Sequence, residues 1–211
     1  MTDALRHLRR GDPVMAQLIR RAGPFVPKPD RRRSPYQALV QAVAHQQLTG
    51  KAANTILGRF CALYGGEDYP QPDQLVATPD EQLRGVGFSR AKVASLKDIA
   101  AKTLDGTIPE RRALTRLSDE AIIERLTEAR GVGRWTVEMF LMFTLGRPDV
   151  LPVDDYGIQN GYRLAYGKRR LPKPRLLATF GQRWAPYRTT ASWYLWRAVD
   201  FEREGRNAGK D

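Results

Sequence analysis

The chain has 211 residues and carries 35 Lys or Arg against 23 Asp or Glu, so its formal net charge is +12. With 42% hydrophobic residues it can bury a core, so the charge indicates a folded protein that attracts polyanions, nucleic acid first and a membrane surface second. A single cysteine excludes an internal disulfide, a cysteine-based zinc site and an iron–sulfur cluster, and two distant histidines argue against a histidine metal site.

The sequence also limits where the protein acts. The N-terminal residues are basic but lack the apolar core of a signal peptide, and no apolar run approaches the ~18 residues that cross a bilayer. We therefore expect an intracellular protein with no membrane partner, located in the cytoplasm or, in a bacterium, the nucleoid.

Apolar residues recur at helical spacing along most of the chain, and no run alternates as a half-buried strand does, which predicts an all-α fold. Caps, periodicity and glycine or proline stops mark the helices. The predicted helices are 12–22, 36–48, 50–65, 72–77, 79–84, 89–106, 118–130, 134–146, one that begins at 154–155, and 186–203. Two stretches predict loops, the proline-rich residues 23–35 and the basic residues 167–175.

The turn between the helices at 118–130 and 134–146 has the sequence Arg-Gly-Val-Gly-Arg. Its glycines, Gly131 and Gly133, allow positive φ angles and close approach of the backbone, and the next helix presents unpaired N–H groups. Such a turn can hold a phosphate oxygen, although a tight turn between packed helices would use the same glycines. The flanking arginines and the net charge favour the phosphate interpretation.

Several motifs resemble one family. Residues 126–133 resemble the hairpin of the helix-hairpin-helix DNA glycosylases, and residues 151–156, Leu-Pro-Val-Asp-Asp-Tyr, resemble the Gly/Pro-rich loop with its closing aspartate. The separation of Trp135 from Asp155 is similar to that in the branch that excises alkylated bases, the DNA-3-methyladenine glycosylase II branch. The resemblance covers most of the chain from about residue 24 and includes two further stretches, residues 34–53 and 183–197.

The resemblance implies two helical subdomains with a cleft between them, in which Asp155 would lie. One would be residues 34–150, with the helix-hairpin-helix at about 118–146, and the other residues 1–33 together with 151–211. The implied activity is monofunctional base excision repair, which hydrolyses the N-glycosidic bond of alkylated purines and leaves an abasic site. Bifunctional members carry a lysine where this chain has Trp135, so we expect water as the nucleophile and no lyase activity.

Asp155 is the catalytic residue that the resemblance implies. Cleavage of an N-glycosidic bond builds positive charge on the sugar, so a carboxylate beside C1′ stabilises the transition state and orients water. A position at the start of a helix would keep Asp155 ionised through the helix dipole. The alternative is that Asp154 and Asp155 only begin a helix, and Asp154 is the one we expect to be purely structural.

A base alkylated at N3 or N7 is already cationic, so it leaves without a general acid and is attracted by electron-rich aromatic rings. The resemblance implies Trp196 as the ring that stacks on the base. The residues expected at the base pocket are Trp135, Trp196, Gln46, Tyr156 and Phe25. Trp193 is a secondary candidate. Core packing is the alternative for the aromatic residues, and it is the favoured interpretation for Trp184 and Trp193.

An enzyme of this kind flips the nucleotide out of the duplex and fills the gap with a side chain from the minor groove. In the family this wedge lies at the break around residues 46–49, so Leu48 or Gln47 would enter the gap. The alternative is that Leu48 belongs to the core and the glutamines form a solvated helix end. The expected contacts to the DNA backbone are Gly131, Gly133 and Arg134.

No organic cofactor or catalytic metal is expected. Members of the family can bind a monovalent cation through hairpin carbonyls, here those of Thr127 and Ala129 with Gly131 or Val132. The expected partner is double-stranded damaged DNA, bound by a monomer. Two alternatives are a glycosylase of the same fold for other damaged or mismatched bases, and a non-catalytic helix-hairpin-helix module that would need neither Asp155 nor an aromatic pocket.

Overall fold

The computed structural model describes residues 2–66 and 68–208. These residues form helices and turns and contain no strand, so the all-α prediction is confirmed. The chain divides into two compact units, which we name the Asp155 unit, residues 1–29 and 141–211, and the hairpin unit, residues 30–140. Across the described residues, no helix is long and apolar enough to cross a membrane.

Many of the helices begin at a recognisable cap. The helices are α1 (Asp3–Gly11), α2 (Pro13–Ala22), α3 (Pro35–His45), α4 (Gly50–Ala62), α5 (Pro72–Ala77), α6 (Asp80–Gly85), α7 (Arg90–Leu104), α8 (Arg111–Leu114), α9 (Asp119–Leu126), α10 (Arg134–Phe140), α11 (Tyr156–Ala165), α12 (Pro174–Gly181) and α13 (Arg188–Ala208). A π-helical segment, Leu141–Leu145, follows α10. The hydroxyls of Ser34, Ser89 and Ser118 cap α3, α7 and α9, which explains why the sequence marks these starts.

The two units have separate cores. In the Asp155 unit, α13 packs against α11 and α2 around a cluster that includes the fully buried Trp184 and Tyr194. In the hairpin unit, α7 packs against α3 and α5, and α10 packs against α9 and α3. The last of these contacts matters for function, because it fixes the hairpin between α9 and α10 against the helix that precedes residues 46–49.

Three helices lie where the sequence predicted none, namely α1, α8 and α12. Helix α12 begins within the predicted basic loop 167–175, because Pro174 occupies the first helical turn, where proline is well tolerated. Helix α1 is rich in arginine, but it buries Leu5 and Leu8 on one face and is capped by the Thr2 hydroxyl. Helix α13 starts two residues later than predicted and extends five residues further, to Ala208.

The division between the units also differs from the predicted boundaries at residues 34 and 150. Residues 30–33 belong to the hairpin unit because the Arg111 guanidinium donates to the carbonyls of Asp30 and Arg33, at 3.0 and 2.7 Å. The π-helical segment belongs to the Asp155 unit. There the chain packs so closely that a Cβ atom at Gly146 would lie 2.8 Å from Cγ of Pro29.

A buried carboxylate anchors the N-terminal helices of the Asp155 unit. Asp12 is 2% exposed and caps α2, accepting N–H groups of Val14 and Met15 on Oδ1 at 3.0 and 3.2 Å. Its Oδ2 accepts the Tyr166 hydroxyl at 2.5 Å and Nε1 of Trp184 at 3.0 Å. Burial and the bond to Asp12 raise the pKa of Tyr166, so the phenol remains a donor.

We predict that Asp12→Ala lowers the free energy of unfolding by about 4 kcal/mol, because it leaves several buried donors without an acceptor. Urea unfolding followed by circular dichroism measures the loss. Asp3→Ala is the control: Asp3 forms an exposed ion pair with Arg6, and losing it should cost less than about 1 kcal/mol. Equal losses in the two variants would contradict the anchoring role of Asp12.

Candidate active site

Asp155 lies at the N-terminus of α11, where an extended link turns into the helix. The turn is closed by the Asp155 N–H, which donates to the Pro152 carbonyl at 3.1 Å, and by the Gln159 amide, which donates to the Val153 carbonyl at 2.8 Å. Oδ1 of Asp155 accepts the Ile158 N–H at 2.7 Å. Asp155 is therefore the cap of α11, and the expectation that Asp154 holds the structural position is wrong, since Asp154 is exposed and precedes the cap.

The same carboxylate oxygen also accepts a hydrogen bond from a tryptophan that lies far away in the sequence. Nε1 of Trp196, on α13, donates to Oδ1 of Asp155 at 3.0 Å. The bond joins two of the predicted site residues and fixes the rotamer of the carboxylate, while Asp155 itself is only partly buried.

Two glycines of α11 make this bond geometrically feasible. A Cβ atom at Gly157 would lie 2.8 Å from Cδ1 of Trp196 and 3.0 Å from Oδ1 of Asp155. One turn later, a Cβ atom at Gly161 would lie 2.0 Å from the carbonyl oxygen of Leu195. The glycines let the backbones of α11 and α13 approach each other more closely than any larger residue would permit. The sequence carries this signal, two glycines four residues apart on one helix face, but our sequence analysis did not use it.

The Phe143 ring packs against Trp196 within the Asp155 unit. Phe143, on the π-helical segment, stacks on Trp196 with ring centroids 6.0 Å apart, and it is 41% exposed. Sequence analysis missed Phe143, because it lies in a continuous apolar run and a regular helix gives no reason to single it out. The π-helical turn changes the helical phase there, and such turns are frequent at functional sites.

A cavity of about 570 Å³ lies beside Phe143, a volume typical of small-ligand sites. Phe25 and Trp193 line it as parallel rings with centroids 4.0 Å apart and an angle of 2° between their planes. The Tyr194 hydroxyl holds the backbone that carries Phe25. It accepts the Phe25 N–H at 3.0 Å and donates to the Gly23 carbonyl at 2.9 Å. Phe25 therefore lines an aromatic cavity, with Trp193 rather than Trp196 as its stacking partner.

The remaining pocket candidates are solvent-accessible. Tyr156, next to Asp155 in the chain, is 69% exposed. Trp135 opens α10 in the hairpin unit and is 47% exposed, so it is not a core residue. Trp184 is fully buried and bonded to Asp12, which agrees with the core assignment made from the sequence.

The hairpin needs one of its two glycines for conformational reasons. Gly131 has a φ of 77°, and a Cβ atom there would lie 2.5 Å from Oγ of Ser95 on α7. Gly133 has no positive φ, and a Cβ atom there would meet no atom within 4 Å. The exposed Gly133 therefore keeps the outer surface of the hairpin open, which suits an approaching ligand better than a packing role.

The Arg134 side chain is engaged by acids of the same unit. Its guanidinium forms two hydrogen bonds to Glu120, at 2.7 and 3.1 Å, and one to the buried Glu138 at 3.2 Å. The hydrogen bond and charge of Arg134 lower the pKa of Glu120. The guanidinium therefore braces α9 against α10.

The loop that follows α3 projects two side chains into solvent. Gln47 has a φ of 58°, in the left-handed region that non-glycine residues rarely adopt, and it is exposed. Leu48 is 39% exposed, so the alternative that it belongs to the core is wrong. Gln46 points to the hairpin instead, where its Nε2 donates to the Gly131 carbonyl at 2.9 Å.

Comparison with known proteins gives this arrangement a family. Residues 40–186 match the model of the HhH-GPD superfamily base excision DNA repair proteins. The chain is 41% identical over 198 residues to the DNA-3-methyladenine glycosylase 1 of Schizosaccharomyces pombe, covering 93% of this chain and 87% of that protein.

Two solved structures are similar over nearly the whole chain. The S. pombe 3-methyladenine DNA glycosylase in complex with abasic DNA has a TM-score of 0.84 and 42% identity, covering 93% of this chain and 96% of that one. The DNA-3-methyladenine glycosidase of Bacillus halodurans has a TM-score of 0.85 and 36% identity, covering 96% and 92%. The resemblance noted from the sequence is thereby confirmed, and the chain belongs to the HhH-GPD superfamily of base excision DNA repair proteins.

Proposed function

We propose that this protein is a monofunctional DNA glycosylase that hydrolyses the N-glycosidic bond of alkylated purines, 3-methyladenine and 7-methylguanine, and leaves an abasic site. The observation that carries the proposal is the partly exposed Asp155 carboxylate, held in one orientation by the Ile158 N–H and the Trp196 indole. The names of the S. pombe relative at 41% identity and of the Bacillus halodurans structure at 36% identity support the excision of 3-methyladenine. A non-catalytic DNA-binding module would have no use for a carboxylate that is fixed in this way and yet left partly exposed.

Asp155 acts on the charge that develops at the sugar. As the bond between C1′ and the base nitrogen breaks, the cationic alkylated base takes the electron pair and leaves neutral. The positive charge moves to the sugar, where a fixed carboxylate stabilises it. Water then adds to C1′ and gives up a proton to the carboxylate or to solvent. Because the leaving base needs no protonation, no general acid is required. One carboxylate therefore suffices where ordinary glycoside hydrolysis uses two carboxyl groups.

The residue that follows the hairpin supports hydrolysis over lyase chemistry. Schiff-base glycosylases attack the sugar with a lysine, and the position that follows the hairpin here is Trp135. No group of three or more His, Cys, Asp or Glu side chains that could hold a metal occurs in the part of the chain the structure describes. We therefore assign the nucleophile to water activated by Asp155, without lyase activity.

Selectivity for alkylated bases is assigned to the aromatic side chains near Asp155. A cationic ring stacked on Trp196 and Phe143 gains cation–π attraction that a neutral base lacks, worth about 0.5–2 kcal/mol per contact. Phe25 extends the aromatic surface through the cavity that it lines with Phe143. Trp135, Tyr156 and Gln46 stay predictions for the pocket.

The partner we propose is duplex DNA carrying damage, bound by a monomer inside the cell. The main chain at Gly131 and Gly133 would contact a phosphate, with Arg134 contributing its backbone because its guanidinium is engaged by Glu120 and Glu138. The exposed Gln47 and Leu48 are the candidates for the wedge that fills the gap after base flipping.

A monovalent cation at the hairpin is also proposed. The proposed ligands are the carbonyls of Thr127 and Ala129, with that of Val132 or Gly131 as the third, and the Gly131 carbonyl already accepts one bond from the Gln46 amide. The Ala129 carbonyl accepts the Val132 N–H at 3.0 Å and retains a second lone pair for an ion. A bound cation would supply positive charge for the phosphate contact.

Asp155→Asn removes the charge but keeps an oxygen that can accept both N–H groups, so the fold should be retained. We predict that single-turnover excision of 7-methylguanine from a duplex falls by about 10²–10³-fold, the magnitude typical of losing an electrostatic stabiliser. Asp154→Asn is the matched control, one residue away and exposed, and should excise at the wild-type rate. Near wild-type excision by Asp155→Asn, with circular dichroism unchanged, would refute the assignment.

Gly157→Ala tests the close approach of α11 to α13. The added methyl group would displace the Trp196 indole from Asp155, and we predict that kcat falls by about 10–100-fold, as expected for a small misplacement of a catalytic group. The control is Gly58→Ala, also within a helix, where a methyl group meets nothing within 4 Å. Equal kcat values for the Gly157 variant and the wild type would mean that the Trp196–Asp155 bond does not matter for catalysis.

Phe143→Ala tests the aromatic selectivity. We predict that kcat/KM falls by about 3–30-fold for the cationic 7-methylguanine, the loss of one cation–π contact, and less for the neutral hypoxanthine. Leu176→Ala, which alters a leucine that is 53% exposed in the same unit, serves as the control and should change neither value. An equal loss on both bases would assign Phe143 a packing role that does not sense charge.

A further inference from the structure

The loop after α3 and the hairpin are joined by a direct hydrogen bond within the hairpin unit. Nε2 of Gln46 donates to the Gly131 carbonyl at 2.9 Å, although the two residues are 85 positions apart in the chain. Gln46 is only half-buried, so this bond is not needed to satisfy an amide in the core. It connects the residue at the end of α3 to the glycine that has a positive φ at the tip of the hairpin.

Helix α7 holds both ends of this connection. Nζ of Lys92 donates to the Ala44 carbonyl at 2.7 Å, at the last turn of α3, and desolvation there lowers the pKa of Lys92. Oδ2 of Asp98 accepts the Arg130 N–H of the hairpin at 2.7 Å. Between them, Ser95 lies so close to Gly131 that no Cβ atom would fit. One face of α7 therefore fixes the end of α3 and the hairpin to a common support.

The segment immediately after Gln46 is the one whose backbone is under strain. Gln47 has a φ of 58°, and it and Leu48 extend into solvent. A non-glycine residue keeps a left-handed conformation only where neighbouring contacts hold it there. The hydrogen bond from the Gln46 side chain to the Gly131 carbonyl lies next to Gln47, and it connects the strained backbone to the hairpin.

We propose that Gln46 is a positioning residue that couples the hairpin to the loop, so that Gln47 and Leu48 enter the duplex in the register set by the phosphate contact. This role rests on the proposed function, in which the hairpin contacts the backbone and the loop fills the gap. This positioning role differs from the pocket role expected from the sequence. Gln46 would act through the Gly131 carbonyl and affect the extrusion of the base, whereas a pocket residue would contact the base after extrusion.

The test compares substrates that differ only in the energy needed to extrude the lesion. Two duplexes carry a single 7-methylguanine, one opposite cytosine and one opposite thymine, and the mismatched lesion is extruded more easily. Gln46→Met keeps the side-chain length and removes the donor. We predict that it slows single-turnover excision by about fivefold on the paired lesion, the effect of one lost hydrogen bond, and by less than about twofold on the mismatch.

Two further variants make the result specific. Gln46→Lys keeps an N–H donor for the Gly131 carbonyl, so the ratio of the excision rates on the two duplexes should stay at the wild-type value. The added positive charge is expected to change both rates by the same factor. Gln41→Met changes another half-buried glutamine of α3 and should leave both rates unchanged. Thermal unfolding of each variant shows whether the fold is retained.

Equal losses on the two duplexes with Gln46→Met, or no loss on either, would overturn the coupling role and leave the glycosylase activity standing. If the wild-type protein releases no base from either duplex, the proposed function fails and the coupling role fails with it. The Asp155→Asn variant separates the two cases, because it should lose excision on both substrates alike.

Discussion

The close approach of α11 to α13 is the constraint on which the site depends. Gly157 and Gly161 allow it, and the indole N–H of Trp196 thereby reaches Oδ1 of Asp155. The carboxylate is held by two N–H donors before any substrate binds, so in the proposed mechanism it would need little reorganisation when charge develops on the sugar. The same contact places Trp196 beside Phe143, which joins the charge-stabilising group to the aromatic surface.

Two aspartates of the Asp155 unit share a pattern of hydrogen bonds but differ in their exposure to solvent. Asp12 and Asp155 each cap a helix and each accept a tryptophan N–H. Asp12 is 2% exposed and its second oxygen is also occupied by donors, so it can only be structural. Asp155 is partly exposed at the surface of its unit. Burial, rather than the capping motif, separates a structural carboxylate from one available for catalysis.

Local signals explain how much of this could be read from the sequence. Serine caps predicted the starts of α3, α7 and α9, because the hydrogen bonds of a cap lie within one turn of helix. The resemblance of a short motif identified Asp155 as a candidate. Its hydrogen bond to Trp196 could not be predicted in that way, because the two residues are 41 positions apart and meet only through packing. Phe143 was missed because a π-helical turn shifts its direction, and the Arg134 ion pairs because Glu120 lies on another helix.

In the proposed mechanism, one carboxylate and water cleave the N-glycosidic bond without an amine nucleophile. The most direct measurement incubates the purified protein with methylated duplex DNA, without metal or reductant, and identifies released bases by mass spectrometry, with a parallel sample treated with borohydride. We predict free 3-methyladenine and 7-methylguanine, intact abasic strands and no trapped protein–DNA adduct. DNA binding without base release, or a borohydride-trapped adduct, would contradict this mechanism.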